Sequence, residues 1–148
     1  MRGFTLIELL LVIAIITIMA GLSIPFVQNT QTTADLDSQG QLILGLVRRA
    51  QGQSISGQNQ SAWGLYFDDG NRSVILFRGD DFNNRDQDFD YNIYYPNTVN
   101  VTTDFGNQIF FPLYSLEPSA SGTIQIITNN QQSRKIIVNG YGKTQAGQ

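Results

Sequence analysis

The stretch FTLIELLLVIAIITIMAGLSIPFV, Phe4 to Val27, holds one charged side chain, Glu8, and the nineteen residues from Leu9 to Val27 pass without another. As a helix rising 1.5 Å per residue those nineteen would span roughly 28 Å, close to the hydrocarbon thickness of a bilayer. A secretory signal would set a positive segment before a shorter apolar core and end in a small-residue cleavage site. Here the only positive part ahead of the run is Met1-Arg2. A plain anchor would need neither Gly3 nor a carboxylate inside the run.

The string Gly3-Phe4-Thr5-Leu6-Ile7-Glu8-Leu9, followed by an unbroken apolar segment and then Pro25, resembles the class III signal of bacterial type IV pilins and type II secretion pseudopilins. Counted from Phe4, Glu8 is the fifth residue and Pro25 the twenty-second, as in that family. The resemblance implies a leader of residues 1–3, cut by a membrane prepilin peptidase between Gly3 and Phe4. It further implies N-methylation of Phe4 and retention of residues 4–27 as a transmembrane and assembly helix. The mature chain would then hold 145 residues, with eight basic and twelve acidic side chains.

Glu8 also stands out on physical grounds. A carboxylate near the end of a membrane helix costs up to ~3 kcal/mol on insertion scales, so a neutralising partner is expected. Two fit: the amine of Phe4 in the same chain, one helical turn earlier, or, as the resemblance implies, the Phe4 amine of a neighbouring subunit, which would set register as protomers leave the bilayer. Pro25 removes the hydrogen bond back to Gly21, itself a weak helix former, so a kink or melted segment is expected around residues 21–25.

Beyond the apolar run, residues 26–51 continue as helix, with Leu36, Ile43, Val47 and Ala50 on one side and Leu42 and Leu46 widening the stripe. Residues 28–57 are read as the amphipathic second half of the helix and its exit loop. After residue 60 the period changes to two. Trp63, Leu65 and Phe67 share a face, Asp68-Asp69-Gly70-Asn71 makes a turn, and Val74 to Phe77 is a buried strand. Further strands are expected at 91–95, 108–111, 123–128 and 134–139. The expected fold class is α+β: a long N-terminal helix packed on a mainly antiparallel sheet formed by residues 58–148. The ending, with Ile109-Phe110-Phe111, Gly122-Thr123-Ile124, Arg134-Lys135-Ile136-Ile137-Val138 and Gly140-Tyr141-Gly142-Lys143, resembles the C-terminal half of GspH/FimT-type minor pseudopilins.

Composition narrows the chemistry. Across 148 residues there is no cysteine and no histidine, which removes disulfides, thiolate nucleophiles, the usual zinc ligands and the commonest general base. Nothing supplies a nucleophile, a cofactor loop and an oxyanion donor together, so no enzyme is expected. The net charge of −3 is too small to indicate a polyanionic partner. Its distribution says more: residues 62–117 carry nine acidic and three basic side chains, net −6, whereas residues 118–148 carry Arg134, Lys135 and Lys143 and no acid.

Two minor sites are weighed against this background. Asp86, Asp88 and Asp90, beside Asp80 and Asp81, offer the oxygen ligands that Ca²⁺ takes. Tyr91 stands where an EF-hand needs glycine and Asn97 where it needs glutamate, and an exposed acidic loop is the favoured reading. Arg134, Lys135 and Lys143 form a locally basic end. Some FimT-like minor pilins capture DNA through Gly-Arg-x-Arg, and this chain has Gly142-Lys143-Thr144-Gln145 in that place. The expected function is therefore a structural pilus or pseudopilus subunit, more specifically a minor one, sited in the bacterial inner membrane with its globular domain outside the cytoplasm. Its expected partners are other pilin subunits and the prepilin peptidase; a pilus-tip DNA receptor is the alternative.

Overall fold

The computed structural model describes residues 3–147, with side chains for 3–21 and 31–147. One helix, α1 (Leu6–Ile55), leads into eight strands: β1 (Trp63–Asp68), β2 (Ser73–Arg78), β3 (Asp86–Tyr94), β4 (Val99–Thr103), β5 (Gln108–Phe111), β6 (Gly122–Thr128), β7 (Ser133–Val138) and β8 (Thr144–Gly147). They form two four-stranded sheets, ordered β3-β2-β1-β5 and β4-β6-β7-β8, with antiparallel neighbours throughout. The expected α+β architecture is thus observed, with two sheets sharing the helix.

Helix spacing explains the docking. Leu36, Ile43, Leu46, Val47 and Ala50 recur at intervals that keep them on one face, and all are buried. They meet Trp63, Leu65, Phe67, Val74, Leu76, Ile109 and Phe111 from the first sheet, and Val99, Val101, Ile124, Ile126, Ile136 and Val138 from the second, in one continuous core. Each large side chain buried there contributes roughly 1.5–3 kcal/mol of transfer free energy. Leu42 does not join them and stays 43% exposed. It lies beside the stripe, where neither sheet reaches.

β2 is buried on both faces. Val74 and Leu76 point into the main core, while Ile75 and Phe77 are buried on the opposite face, where Phe77 meets the short 3-10 turn Phe82–Asn84. Phe82 stacks on Tyr66 at 3.7 Å between ring centroids and meets Phe77 edge-on at 5.5 Å. Its N–H donates to Gln108 Oε1 at 3.1 Å, and the Arg85 guanidinium sits over its ring. A continuous apolar run therefore reads correctly as a strand covered twice.

Several expectations are corrected here. The acidic stretch is no loop: Asp86, Asp88 and Asp90 belong to β3, which begins well before residue 91. Asp86 pairs with Arg78 at 3.1 Å and Asp90 with Arg85 at 2.8 Å, so neighbouring arginines hold the carboxylates on the strand. β4 and β8 were not expected. β4 alternates buried Val99 and Val101 but is only five residues long; β8, TQAG, has no apolar signal and exists by pairing with β7. The kink expected at residues 21–25 falls largely within 22–30, a part of α1 whose side chains lie outside those described.

The β1–β2 turn shows how local polar groups fix the hairpin. Asp68 accepts from the Asn71 N–H at 3.1 Å and from Asn71 Nδ2 at 2.7 Å. The Asn71 side chain, then its backbone N–H, holds the Asp68 carboxyl below its ordinary value of 3.8. A depressed folded pKa stabilises above the ordinary value and is lost as pH falls through the folded one. Asp68→Asn is therefore expected to lower the melting temperature slightly at neutral pH, with the gap to the parent closing below about pH 4. A gap independent of pH between 7 and 3 would remove the carboxylate from this turn.

Candidate functional site

The helix head is built by its own first turn. Thr5 caps α1 in extended conformation (φ −82°, ψ 152°). The Glu8 N–H donates to Thr5 Oγ1 at 3.4 Å, and the Glu8 carboxylate accepts from the Thr5 N–H at 3.5 Å, which together make a capping box. A carboxylate in the first turn also meets the positive end of the helix dipole. Above this turn every described side chain to Gly21 is exposed, including Leu6, Ile7, Leu9, Leu10, Ile13 and Ile16. A helix that is apolar all round and bare in the single chain has its cover elsewhere. Among the described residues no helix is long and apolar enough to cross a membrane; the expected span of residues 4–27 runs into the side chains of 22–27, outside the described residues.

At the other end of α1 the last turns form a hub. The buried Ser54 hydroxyl donates to the Phe111 carbonyl at 2.8 Å and accepts from the Trp63 N–H at 3.0 Å, tying the helix to β5 and β1. The Ser54 carbonyl accepts from the Tyr114 N–H at 2.9 Å. Gln51 Nε2 donates to the carbonyls of Leu116 and Gly142, at 3.1 and 2.8 Å, stapling the loop after β5 and the turn before β8 to the same helix.

The three C-terminal cations do not converge. Arg134 faces the helix, crosses Gly40 where a Cβ would stand 2.7 Å from its Cδ, and pairs with Asp37 at 2.7 Å. Lys135 is next on the strand and so points to the opposite, outer face, where it is exposed; Lys143 lies exposed in the turn before β8. Among the described residues no group of three or more acidic side chains is placed to hold a metal ion, and Asp88 shares no such cluster with Asp86 and Asp90. A cleft of about 350 Å³ between the start of β1 and the end of β5 is lined by Gln60, Ser61, Ala62, Gly79, Asp80 and Phe110 among others, with Asp80 as its titratable group.

Residues 1–24 match the prokaryotic N-terminal methylation motif. Among solved structures the chain is similar to the minor pseudopilin EpsH from the type 2 secretion system of Vibrio cholerae. That match has a TM-score of 0.61 and 12% identity, and covers 76% of this chain and 96% of the other. No curated protein matches the chain in sequence. Motif and fold together support the type IV pilin and pseudopilin family.

Gly3 and Phe4 stand exposed just ahead of the cap. The carboxylate of Glu8 has a partner that the sequence reading passed over, Thr5. The signal was present: Thr-x-x-Glu ahead of an apolar run is the capping-box pattern. Pro25 lies within α1, and its side chain is outside those described.

Proposed function

We propose that the chain is a minor pilin or pseudopilin, a structural subunit with no catalytic task of its own. In this reading a prepilin peptidase cuts between Gly3 and Phe4, Phe4 is N-methylated, residues 4–27 hold the chain in the inner membrane, and the apolar helix carries it into a fibre with other subunits. The observation that supports it best is the helix head: apolar on all sides, exposed in the single chain, and bearing one carboxylate at its first turn. Other subunits or lipid would cover it. DNA capture ranks second, because of the three C-terminal cations Arg134 is engaged by Asp37, which leaves Lys135 and Lys143 for phosphate contacts.

Glu8 offers the sharpest test, since two roles meet in one side chain. Glu8→Gln keeps the capping box, which accepts either residue, but removes the charge. Both Glu8→Gln and Glu8→Ala are expected to stay in the membrane fraction, because losing a charge there is favourable. Both should enter fibres about tenfold less than the parent, the equivalent of ~1.4 kcal/mol. Incorporation of Glu8→Gln at the parent level would reduce Glu8 to capping its own helix.

A further inference from the structure

One hollow collects polar side chains that the fold itself does not use. The cleft between the start of β1 and the end of β5, about 350 Å³ in volume, falls in the size range of small-ligand pockets, roughly 300–1,000 Å³. Its polar lining is Gln60, Ser61 and Asp80, and its apolar lining includes Phe110, Pro112 and Leu113. Among the described residues none of the three polar side chains makes a hydrogen bond or an ion pair. An unpaired carboxylate on a convex surface, as at Asp69 or Glu117, is ordinary. A carboxylate, an amide and a hydroxyl that converge uncommitted on one concave surface beside apolar side chains are what a small polar ligand needs. The backbone around the cleft is also strained. Of the five non-glycine residues at positive φ among those described, Asn59 (φ 56°) and Gln60 (φ 51°) enter it and Tyr114 (φ 61°) follows Leu113. Such outliers persist only where the surroundings hold them, and they cluster at ligand clamps. Here the Asn59 carbonyl accepts from Arg78 Nη2 at 3.1 Å and the Gly79 N–H donates to the Ala62 carbonyl at 2.9 Å, which fixes the loop before β1 against the end of β2.

We infer that this cleft binds a neutral sugar, a pyranose unit held by Gln60, Ser61 and Asp80 and resting on the apolar side chains. The lining selects the class. No cation lines the cleft and Asp80 would repel an anion, so phosphates and carboxylates are excluded. An ammonium only donates: it would satisfy Asp80 and leave the Gln60 amide N–H groups unmatched. A ring of hydroxyls both donates and accepts, which suits a carboxylate that accepts, an amide that does both and a serine hydroxyl that does both. The C–H face of the same ring is apolar and fits against Phe110, Pro112 and Leu113. The cleft adjoins the C-terminal end of α1, remote from the apolar head, so covering the head leaves it open to solvent. The inference does not depend on the assembly reading.

The purified full-length chain in detergent is titrated with methyl α-glucoside, methyl β-galactoside and N-acetylglucosamine, and separately with N-acetyl-lysine amide as a cationic probe. Binding is read from saturation transfer to the probe's NMR signals. A second readout is the fluorescence of Trp63, the one tryptophan, which follows Ala62 of the cleft and donates its indole N–H to the Gln58 carbonyl at 3.1 Å. At least one sugar is expected to bind with a Kd on the order of 1 mM. Asp80→Ala, at an exposed position with no partner to lose, should weaken it about tenfold, as the loss of one hydrogen bond to a charged group does. Gln60→Gly should weaken it to a similar degree while melting no lower than the parent, because glycine relieves the left-handed backbone, so the loss is of the amide and not of the fold. Binding of the lysine probe with none of the sugars would assign the cleft to a cation and overturn the proposal. Failure of every sugar to bind, or sugar binding indifferent to both substitutions, would overturn it as well.

Discussion

Ser54→Ala is expected to destabilise the folded domain by about 3 kcal/mol. The hydroxyl is fully buried and makes two hydrogen bonds, one to the Phe111 carbonyl and one from the Trp63 N–H. Alanine is the better helix former, so local propensity argues the other way by a few tenths of a kcal/mol. The deletion leaves a buried N–H and a buried C=O without partners, at roughly 1–3 kcal/mol each, and this outweighs the propensity gain. Thermal unfolding of the purified chain in detergent should show a fall of 10 °C or more, at about 4 °C per kcal/mol for a domain of this size. A change within 2 °C would mean that the Ser54 hydroxyl does not tie the helix to β1 and β5.

Gly142→Ala should cost about as much by a different route. Gly142 sits at φ +74°, a region that a side chain enters only with strain, and an added Cβ would collide with the Leu116 carbonyl and with Gln51 Nε2. Relieving that collision separates the turn before β8 from the loop after β5 and breaks the two bonds Gln51 donates. The strain is on the order of 1 kcal/mol and each lost bond about 1 kcal/mol, so a loss near 3 kcal/mol is expected. Gln51→Ala, which removes the staple but keeps the turn, should lose less than Gly142→Ala. Equal losses would place the whole effect in the staple.

Much of this architecture is legible in the residues, and the gaps have physical causes. The buried stripe Leu36, Ile43, Leu46, Val47 and Ala50 follows from helical spacing, and Trp63, Leu65 and Phe67 from strand alternation, because both periods are local. Leu42 was misplaced because the stripe's width depends on how far the sheets wrap the helix, which is a tertiary matter. β8 carries no apolar pattern and is specified by its partner, Val138 opposite Thr144. β3 reads as an acidic loop until Arg78 and Arg85 are brought beside it by the β2 register. Arg134 and Asp37, ninety-seven positions apart, have no shared local pattern, and their pairing changes how many cations the C-terminal strands offer. Thr5 is legible too, because Thr-x-x-Glu is the capping-box pattern, but reading Glu8 as a charge in a membrane helix leaves its role as partner of a cap three residues earlier unassigned.

The central claim is that a processed helix head carries this chain into a fibre, and the mass of the N-terminal peptide recovered from assembled material tests it most directly. The recovered peptide is expected to begin at N-methylated Phe4, in a chain of 145 residues, with no such product from a Gly3→Val variant. Assembled material that still begins at Met1 would contradict it.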